Sequence, residues 1–332
     1  METVNRRQFF RTVGLGCCAH LAGLKALGLP ELWASPPGRI GAASGTEPWG
    51  SYQELAPGAW AIISTPLAGE RGGPAWKTLC NGGIIAGKDR VMLIESFASG
   101  EGAGWMRDLA YRLTGRFPEI AVVTHFHGDH AGGTAALQSG NAPAMVRSSQ
   151  RTRELLADAQ ALPDPIVFDK GISRFDLGGR VVTISHQEGH TPSDLVLTLP
   201  EDGIIWGGDL LWNGIFPNFR DSKPSAQIAA VRKLRASDAD TWVPGHGNIA
   251  SRDDLDRYLL LLESLESAAR AALSGGVDLA EAAARFTPPP GAGEWTLFSS
   301  TYYRTALEAW RRELQQDSES LDQSVTVLES LA

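Results

Sequence analysis

Val122-Val-Thr-His-Phe-His-Gly-Asp-His-Ala-Gly-Gly133 is the stretch of this 332-residue sequence that most constrains its fold. Three of the seven histidines of the chain, together with one aspartate, fall between positions 125 and 130. The apolar run Ile120–Val123 leads directly into them and predicts a buried strand. Because imidazole and carboxylate groups are metal ligands, the pattern predicts a metal site at the end of this strand.

Three later motifs add further candidate ligands. They are Gly189-His-Thr-Pro-Ser-Asp194, Gly207-Gly-Asp209 and Val243-Pro-Gly-His-Gly247. Each places a histidine or an aspartate next to glycine, His190 in a turn between predicted strands, Asp209 just past a strand and His246 at the end of one, where a side chain can point into a cleft. Five of the six histidines after residue 35 belong to these motifs or to the cluster at positions 125–130, and His186 is the exception.

The order of predicted elements indicates the class of fold. Short apolar runs alternate with runs of helical spacing over residues 50–265, which is typical of a layered α/β domain. Residues 36–49 are rich in Gly, Pro, Ala and Ser and predict a linker. Helical spacing continues through residues 266–332, interrupted at Thr287-Pro-Pro-Pro290, and predicts a C-terminal helical extension.

The order His-x-His-x-Asp-His, Gly-His-Thr-Pro, Gly-Gly-Asp, Pro-Gly-His-Gly resembles the metallo-β-lactamase superfamily over residues 50–265. This resemblance implies a four-layer αββα sandwich with two metal ions at one edge between the sheets. It assigns one ion to His125, His127 and His190, and the other to Asp129, His130 and His246, with Asp209 bridging.

The same resemblance implies a dinuclear zinc hydrolase, with iron or manganese as the alternative metals. Two Zn²⁺ ions would lower the pKa of a shared water and provide a metal-bridging hydroxide that opens a β-lactam or other cyclic amide, a lactone or an ester. Asp129 would be the catalytic residue that orients the hydroxide or carries a proton. Glu95, which ends a predicted strand, would support a ligand histidine.

Two departures from the B1-type lactamases bear on the substrate. Asp209 stands where those enzymes have a metal-ligating cysteine, and Trp212 stands where they commonly have a lysine that binds the drug carboxylate. Residues 65–77 resemble their mobile flap. We therefore predict Trp76 in this flap, Trp212, and Asn218 in the following loop as substrate contacts.

Other functions remain open. The chain also resembles exported zinc hydrolases associated with quinoprotein relay systems, and thioester hydrolases of the glyoxalase II type share much of its ligand set. So do iron-dependent persulfide dioxygenases, which oxygen consumption would distinguish from hydrolases. A non-catalytic metal-binding accessory protein is an alternative of another class, and it would keep its partner binding after substitution of His127.

The N-terminus predicts export. Arg6-Arg7-Gln8-Phe9-Phe10 precedes a glycine-rich apolar run and then small residues, and the paired arginines resemble a twin-arginine signal over residues 1–35. This predicts the twin-arginine export machinery as a partner and a periplasmic or secreted location. Cys80 alone follows the signal, so no internal disulfide is expected. The net charge of -8 favours a small-molecule substrate over nucleic acid.

Overall fold

The computed structural model describes residues 44–64, 73–140, 142–156 and 171–330. The strands in these ranges are β1 (Ser44–Glu47), β2 (Gly50–Ala56), β3 (Ala59–Ile63), β4 (Gly82–Ala86), β5 (Val91–Ile94), β6 (Ile120–Val122), β7 (Met145–Arg147), β8 (Ile172–Asp176), β9 (Val181–His186), β10 (Leu195–Leu199), β11 (Ile204–Asn213) and β12 (Thr241–Gly247). The helices are α1 (Pro74–Thr78), α2 (Gly100–Thr114), α3 (Gly128–Ala131), α4 (Thr134–Leu137), α5 (Gln150–Leu155), α6 (Pro224–Arg235), α7 (Arg252–Ser274), α8 (Leu279–Arg285) and α9 (Tyr302–Ser330).

The strands form two mixed sheets. The first has the order β1-β2-β3-β4-β5-β6-β7, in which β5, β6 and β7 are parallel. The second has the order β12-β11-β10-β9-β8, in which only the β11 and β12 pair is parallel. The C-terminal ends of parallel neighbours meet at one edge of a sheet, so the loops that follow them can supply a common site.

Three hydrophobic cores show that the two sheets form the middle layers of a sandwich. One core lies between the sheets and includes Met92, Ile94, Leu197 and Trp206. A second core packs α2 against the first sheet, and a third packs α6 and α7 against the second sheet. Apolar residues therefore bury both faces of each sheet. The predicted αββα sandwich is confirmed.

The C-terminal helices belong to the core on the second sheet. Helix α7 begins at a capping box formed by Ser251 and Asp254, and it runs past residue 265, so the predicted domain boundary falls inside this helix. Helix α9 packs against α7 and α8 and contributes Trp310, which is 2% exposed, to the same core. The predicted helical extension is thus a packed part of the outer helical layer.

Two other segments differ from the sequence expectations. Four residues of the predicted linker, 44–47, form β1, because antiparallel pairing with β2 fixes their conformation. Of the predicted flap, residues 65–72 lie outside the described residues, and the part from Pro74 onward forms the short helix α1. Among the described helices, none has the length and apolar character needed to cross a bilayer.

Candidate metal centre

The histidine cluster lies where β6 leaves the first sheet. Helix α3 begins after His127, and the amide groups of His130 and Ala131 both donate to the His127 carbonyl oxygen. This tight turn gathers the imidazoles on one side. The ring centroid of His125 is 4.8 Å from that of His127 and 4.2 Å from that of His130.

The loop between β9 and β10 brings His190 to the same place. Asp194 accepts hydrogen bonds from the backbone amide and the hydroxyl of Thr191, at 2.8 and 2.6 Å, and so fixes the turn that follows His190. His186 donates from Nε2 to the Pro192 carbonyl at 3.0 Å. His186 therefore stabilises the loop, in line with its exclusion from the predicted ligands.

Strands β11 and β12 of the second sheet supply Asp209 and His246. The register of their pairing shifts on either side of Gly208, which has a positive φ of 51°, and the irregularity turns Asp209 into the site. A Cβ atom on Gly245 of β12 would lie 1.9 Å from Asp209 Oδ1. Glycine is thus required at position 245 for the aspartate to occupy its position.

The first group of candidate ligands consists of His125, His127, His190 and Asp209, with one ligand atom of each within 4.8 Å of all the others. His190 Nε2 lies 3.0 Å from His127 Nδ1 and 3.3 Å from Asp209 Oδ2. His125 Nε2 lies 3.9 Å from the same aspartate oxygen. The structure therefore brings together the whole ligand set predicted for one ion.

The second group consists of Asp129, His130 and His246. His246 Nε2 lies 3.2 Å from Asp129 Oδ2, and His130 Nε2 lies 3.1 Å from Asp209 Oδ1. Asp209 Oδ2 is also 3.4 Å from His246 Nε2. The two oxygens of Asp209 thus contact both groups, which is the place expected for a bridging ligand.

The hydrogen bonds around His125 define its tautomer. Thr124 Oγ1 gives its single proton to Glu95 Oε1 at 2.5 Å, so His125 Nδ1, 3.0 Å from the same hydroxyl, must be the donor in that contact. His125 Nε2 then carries a lone pair, and it is buried without a hydrogen-bond partner among the described residues. Such an atom is costly unless a cation binds it, so this donor set fits a divalent metal.

Burial and neighbouring charges set the protonation states. Burial lowers the pKa of His190 to about 3 and that of His125 well below its usual value, which leaves both imidazoles neutral. Burial opposes the charged form of His246, but Asp209 and Asp129 outweigh it and raise the pKa of His246 to about 9. A metal ion that binds His246 must therefore displace a proton.

Glu95 lies next to a histidine of each of the two ligand groups. Its Oε1 lies 3.1 Å from His130 Nδ1, and Thr124 connects it to His125. The backbone of Glu95 has a positive φ of 77°, which is strained for a residue with a side chain. The structure thus places Glu95 beside the candidate ligand His130, as the sequence predicts. It also connects Glu95 to a second candidate ligand, His125, through Thr124.

Sequence reasoning missed two other supporting residues. Asn81 donates from Nδ2 to the carbonyl oxygens of Pro244 and Gly247, at 2.9 and 2.8 Å, and so holds the end of β12 that carries His246. Asp221 Oδ2 lies 2.8 Å from His127 Nε2. Neither residue stands in a motif, and their partners are remote in sequence, so the pattern gave no signal for them.

The three predicted substrate contacts lie in different environments. Trp212 is 4% exposed, stacks on the His246 ring at 4.2 Å and donates to the Asp209 carbonyl, so it forms a wall of the centre. Asn218 is half-buried and accepts a hydrogen bond from the Arg220 amide. Trp76 is half-buried in α1, and its indole Nε1 makes no hydrogen bond to the described residues.

Comparison with known proteins finds relatives that are similar in sequence. A hydroxyacylglutathione hydrolase of Ruegeria pomeroyi is 30% identical over 168 residues, which are 50% of this chain and 62% of that protein. The chain thus spans less than two thirds of this curated relative, and about half of the next two that it matches.

Solved structures share the fold. A metallo-β-lactamase from Erythrobacter litoralis, with β-mercaptoethanol in its active site, is 26% identical, with a TM-score of 0.56 over 66% of this chain and 99% of that one. One from Pseudomonas aeruginosa, in a mono-zinc form, is 22% identical, with a TM-score of 0.52 over 68% and 96% of the two chains.

The sequence model of the metallo-β-lactamase superfamily matches residues 76–246, just over half of the chain. That range contains every candidate ligand, from His125 to His246, and both sheets contribute to it. Together with the sandwich fold and the two ligand groups, this match shows that the chain belongs to the metallo-β-lactamase superfamily.

Proposed function

We propose that this protein is a hydrolase that uses two zinc ions to open a cyclic amide, a lactone or an ester. The observation that carries the proposal is the convergence of seven side chains in two groups that meet at Asp209. The side chain of Asp129 is 24% exposed, so one carboxylate of the centre is accessible to solvent. A protein that only bound metal would not need such an accessible carboxylate.

The ligand set divides as the resemblance implies. His125, His127 and His190 would hold one ion, Asp129, His130 and His246 would hold the other, and Asp209 would be shared. When bound, such ions lower the pKa of water towards neutrality and polarise a substrate carbonyl. The imidazoles of His125 and His190, which burial keeps neutral, are ready to act as ligands.

Asp129 is the residue that we assign to proton transfer. Burial would raise the pKa of its carboxyl, but the charge of His130 and the hydrogen bond from His246 outweigh burial and lower the pKa to about 2. Asp129 is therefore ionised at neutral pH and can accept a hydrogen bond from an attacking water molecule. Its partial exposure, in contrast to the buried ring of His130, gives that water access.

Aromatic rings form one side of the substrate cleft. Trp212 covers one face of His246, and the Phe298 ring, from the segment before α9, lies nearly perpendicular to the same imidazole with 6.1 Å between the ring centroids. These rings exclude water from the His246 side of the centre, which strengthens electrostatic interactions there. They also suit a substrate with an apolar portion next to the scissile bond.

Thioester hydrolysis is the second candidate. It is favoured by the similarity to hydroxyacylglutathione hydrolases and by the absence of a cysteine among the described ligands, since Asp209 takes the position that B1-type lactamases give to that residue. Both candidates use the same ligands and differ in the leaving group. A substrate panel therefore distinguishes them, whereas metal analysis does not.

The test is a screen of the purified, zinc-loaded protein against β-lactams, lactones, esters and thioesters, with oxygen consumption of the iron-loaded protein measured alongside. We expect turnover of at least one carbonyl class and its loss in His125→Ala. Unchanged turnover in His125→Ala, or oxygen consumption without hydrolysis, would contradict the proposal. The substrate class that is hydrolysed fastest decides between thioester hydrolysis and the opening of a cyclic amide, lactone or ester.

We also infer that the protein is exported by the twin-arginine machinery. The support is the Arg6-Arg7-Gln8-Phe9-Phe10 sequence and the apolar run after it, and these residues lie outside the described part of the chain. Replacing Arg6 and Arg7 by lysine should retain the full-length precursor inside cells that export the wild-type protein. Equal export of both forms would contradict the inference.

A further inference from the structure

His127 differs from the other ligands of its group because its support comes from a surface loop. His125 is fully buried and is supported from the first sheet through Thr124, whereas the His127 side chain is 17% exposed. The atom that contacts its outer nitrogen is Oδ2 of Asp221, at 2.8 Å, and the side chain of Asp221 is 36% exposed. Asp221 lies in the loop between β11 and α6, residues 214–223.

This contact selects the form of His127 that can bind a metal. An ionised carboxylate only accepts hydrogen bonds, so His127 Nε2 must carry the proton that is donated to Asp221. Nδ1 then keeps its lone pair, and Nδ1 is the atom that faces the ligand group, 3.0 Å from His190 Nε2. The pair thus resembles the carboxylate–histidine arrangements that orient metal ligands in proteins.

The loop that carries Asp221 is itself tied to two other parts of the fold. Arg312 of α9 donates from its guanidinium to the Arg220 carbonyl at 2.9 Å, directly before Asp221. Ser222, directly after it, donates from Oγ to the Gly189 carbonyl at 2.9 Å, next to His190. The backbone on each side of Asp221 is therefore held, one side by the C-terminal helix and the other by the loop of a second ligand.

We propose that Asp221 is a positioning residue for the ion held by His125, His127 and His190, and that helix α9 supports this ion through Arg312 and the Asp221 loop. The inference rests on the ligand set given under the proposed function. It assigns a role to the C-terminal extension, which meets the metal centre here through a chain of hydrogen bonds. Asp221 itself touches no reacting atom and acts through His127.

Metal titration against a chromophoric chelator tests the proposal, because it gives a dissociation constant for each ion without any substrate. We expect Asp221→Ala to raise one of the two dissociation constants about ten- to hundredfold, the range found when a partner of a ligand histidine is removed. Asp221→Asn, which keeps an acceptor but loses the charge, should give a smaller increase in the same constant. Arg312→Met should also raise that constant, and by less than Asp221→Ala.

Asp256→Asn is the matched control, because Asp256 is also an exposed carboxylate with a charged partner, Arg235 at 2.8 Å, but it lies on the outer helix α7. The cobalt-substituted proteins supply a second readout, since the visible spectrum of Co²⁺ reports its ligand geometry. We expect Asp221→Ala to change the spectrum of one ion and Asp256→Asn to change neither. Equal unfolding midpoints of the metal-free proteins would show that the variants fold.

Three results would overturn the proposal in distinguishable ways. If the wild-type protein binds two ions and Asp221→Ala behaves as Asp256→Asn does, Asp221 has no positioning role while the proposed function stands. If Asp221→Ala weakens both ions equally, its assignment to one ion is wrong. If the wild-type protein binds no ion tightly, the proposed function fails and this inference fails with it.

Discussion

Replacing Gly245 by alanine tests how closely the sandwich fits around Asp209. The added methyl group would lie 1.9 Å from Asp209 Oδ1 and 2.9 Å from the Asp209 amide nitrogen. Carbon atoms rarely approach other heavy atoms within about 3 Å, so the carboxylate would have to move by roughly 1 Å. Position 245 does not have a positive φ, so the backbone itself tolerates alanine and the effect is steric.

The displaced carboxylate belongs to both ligand groups, since its oxygens lie 3.1 Å from His130 Nε2 and 3.3 Å from His190 Nε2. A shift of about 1 Å at such a site costs on the order of a hundredfold in rate. We therefore expect Gly245→Ala to reduce kcat/KM about a hundredfold, and to weaken zinc binding by both groups in a chelator titration.

Gly104→Ala provides the matched control. Gly104 lies inside helix α2, and a Cβ atom there would meet nothing within 4 Å, so alanine should stabilise the fold by about 0.5–1 kcal/mol and leave zinc binding unchanged. Gly245→Ala with wild-type zinc affinity and turnover would refute the reasoning, because it would show that Asp209 does not need the space that glycine provides.

Three further substitutions probe the residues around the ligands. Asn81→Ala removes donors from two buried carbonyl groups of the β12 segment and should lower the free energy of unfolding by about 1–3 kcal/mol for each of them, measured by urea denaturation of metal-free protein. A loss under about 0.5 kcal/mol would show that water replaces the amide there. Trp212→Phe keeps an aromatic ring in the cleft but loses the hydrogen bond to the Asp209 carbonyl, so we expect about 1 kcal/mol of destabilisation with KM unchanged; unchanged stability would show that this hydrogen bond does not stabilise the fold. Glu95→Gln should weaken the ion bound by His130 about ten- to hundredfold in a zinc titration, and unaltered affinity would rule out its supporting role.

The fold, and the side chains that converge in the two candidate groups, could be predicted from the sequence because the signals were local. His125 follows β6 and His246 lies at the end of β12, so the positions of these two histidines followed from the strands, whereas Asp209 lies inside β11 and not just past a strand. The alternating strand and helix patterns indicated a layered α/β domain, and the four-layer sandwich was implied by the resemblance. The structure confirms the sandwich and brings the predicted ligand groups together.

The supporting contacts could not be predicted because they join distant parts of the chain. Asp221 and His127 are 94 residues apart, and Asn81 reaches the Pro244 carbonyl across 163 residues. No periodicity links such pairs. Likewise, the register shift around Gly208 breaks the alternation of inward and outward side chains in β11. The two-residue alternation expected of a strand therefore could not predict that Trp212 stacks on His246.

The central claim is that two metal ions share Asp209 at the edge of the sandwich. Elemental analysis of the purified protein after equilibration with zinc and removal of loosely bound metal tests it most directly. The account predicts two zinc ions per chain for the wild-type protein and a loss of bound zinc in Asp209→Ala. One ion or fewer in the wild-type protein, or two ions retained in Asp209→Ala, would contradict it.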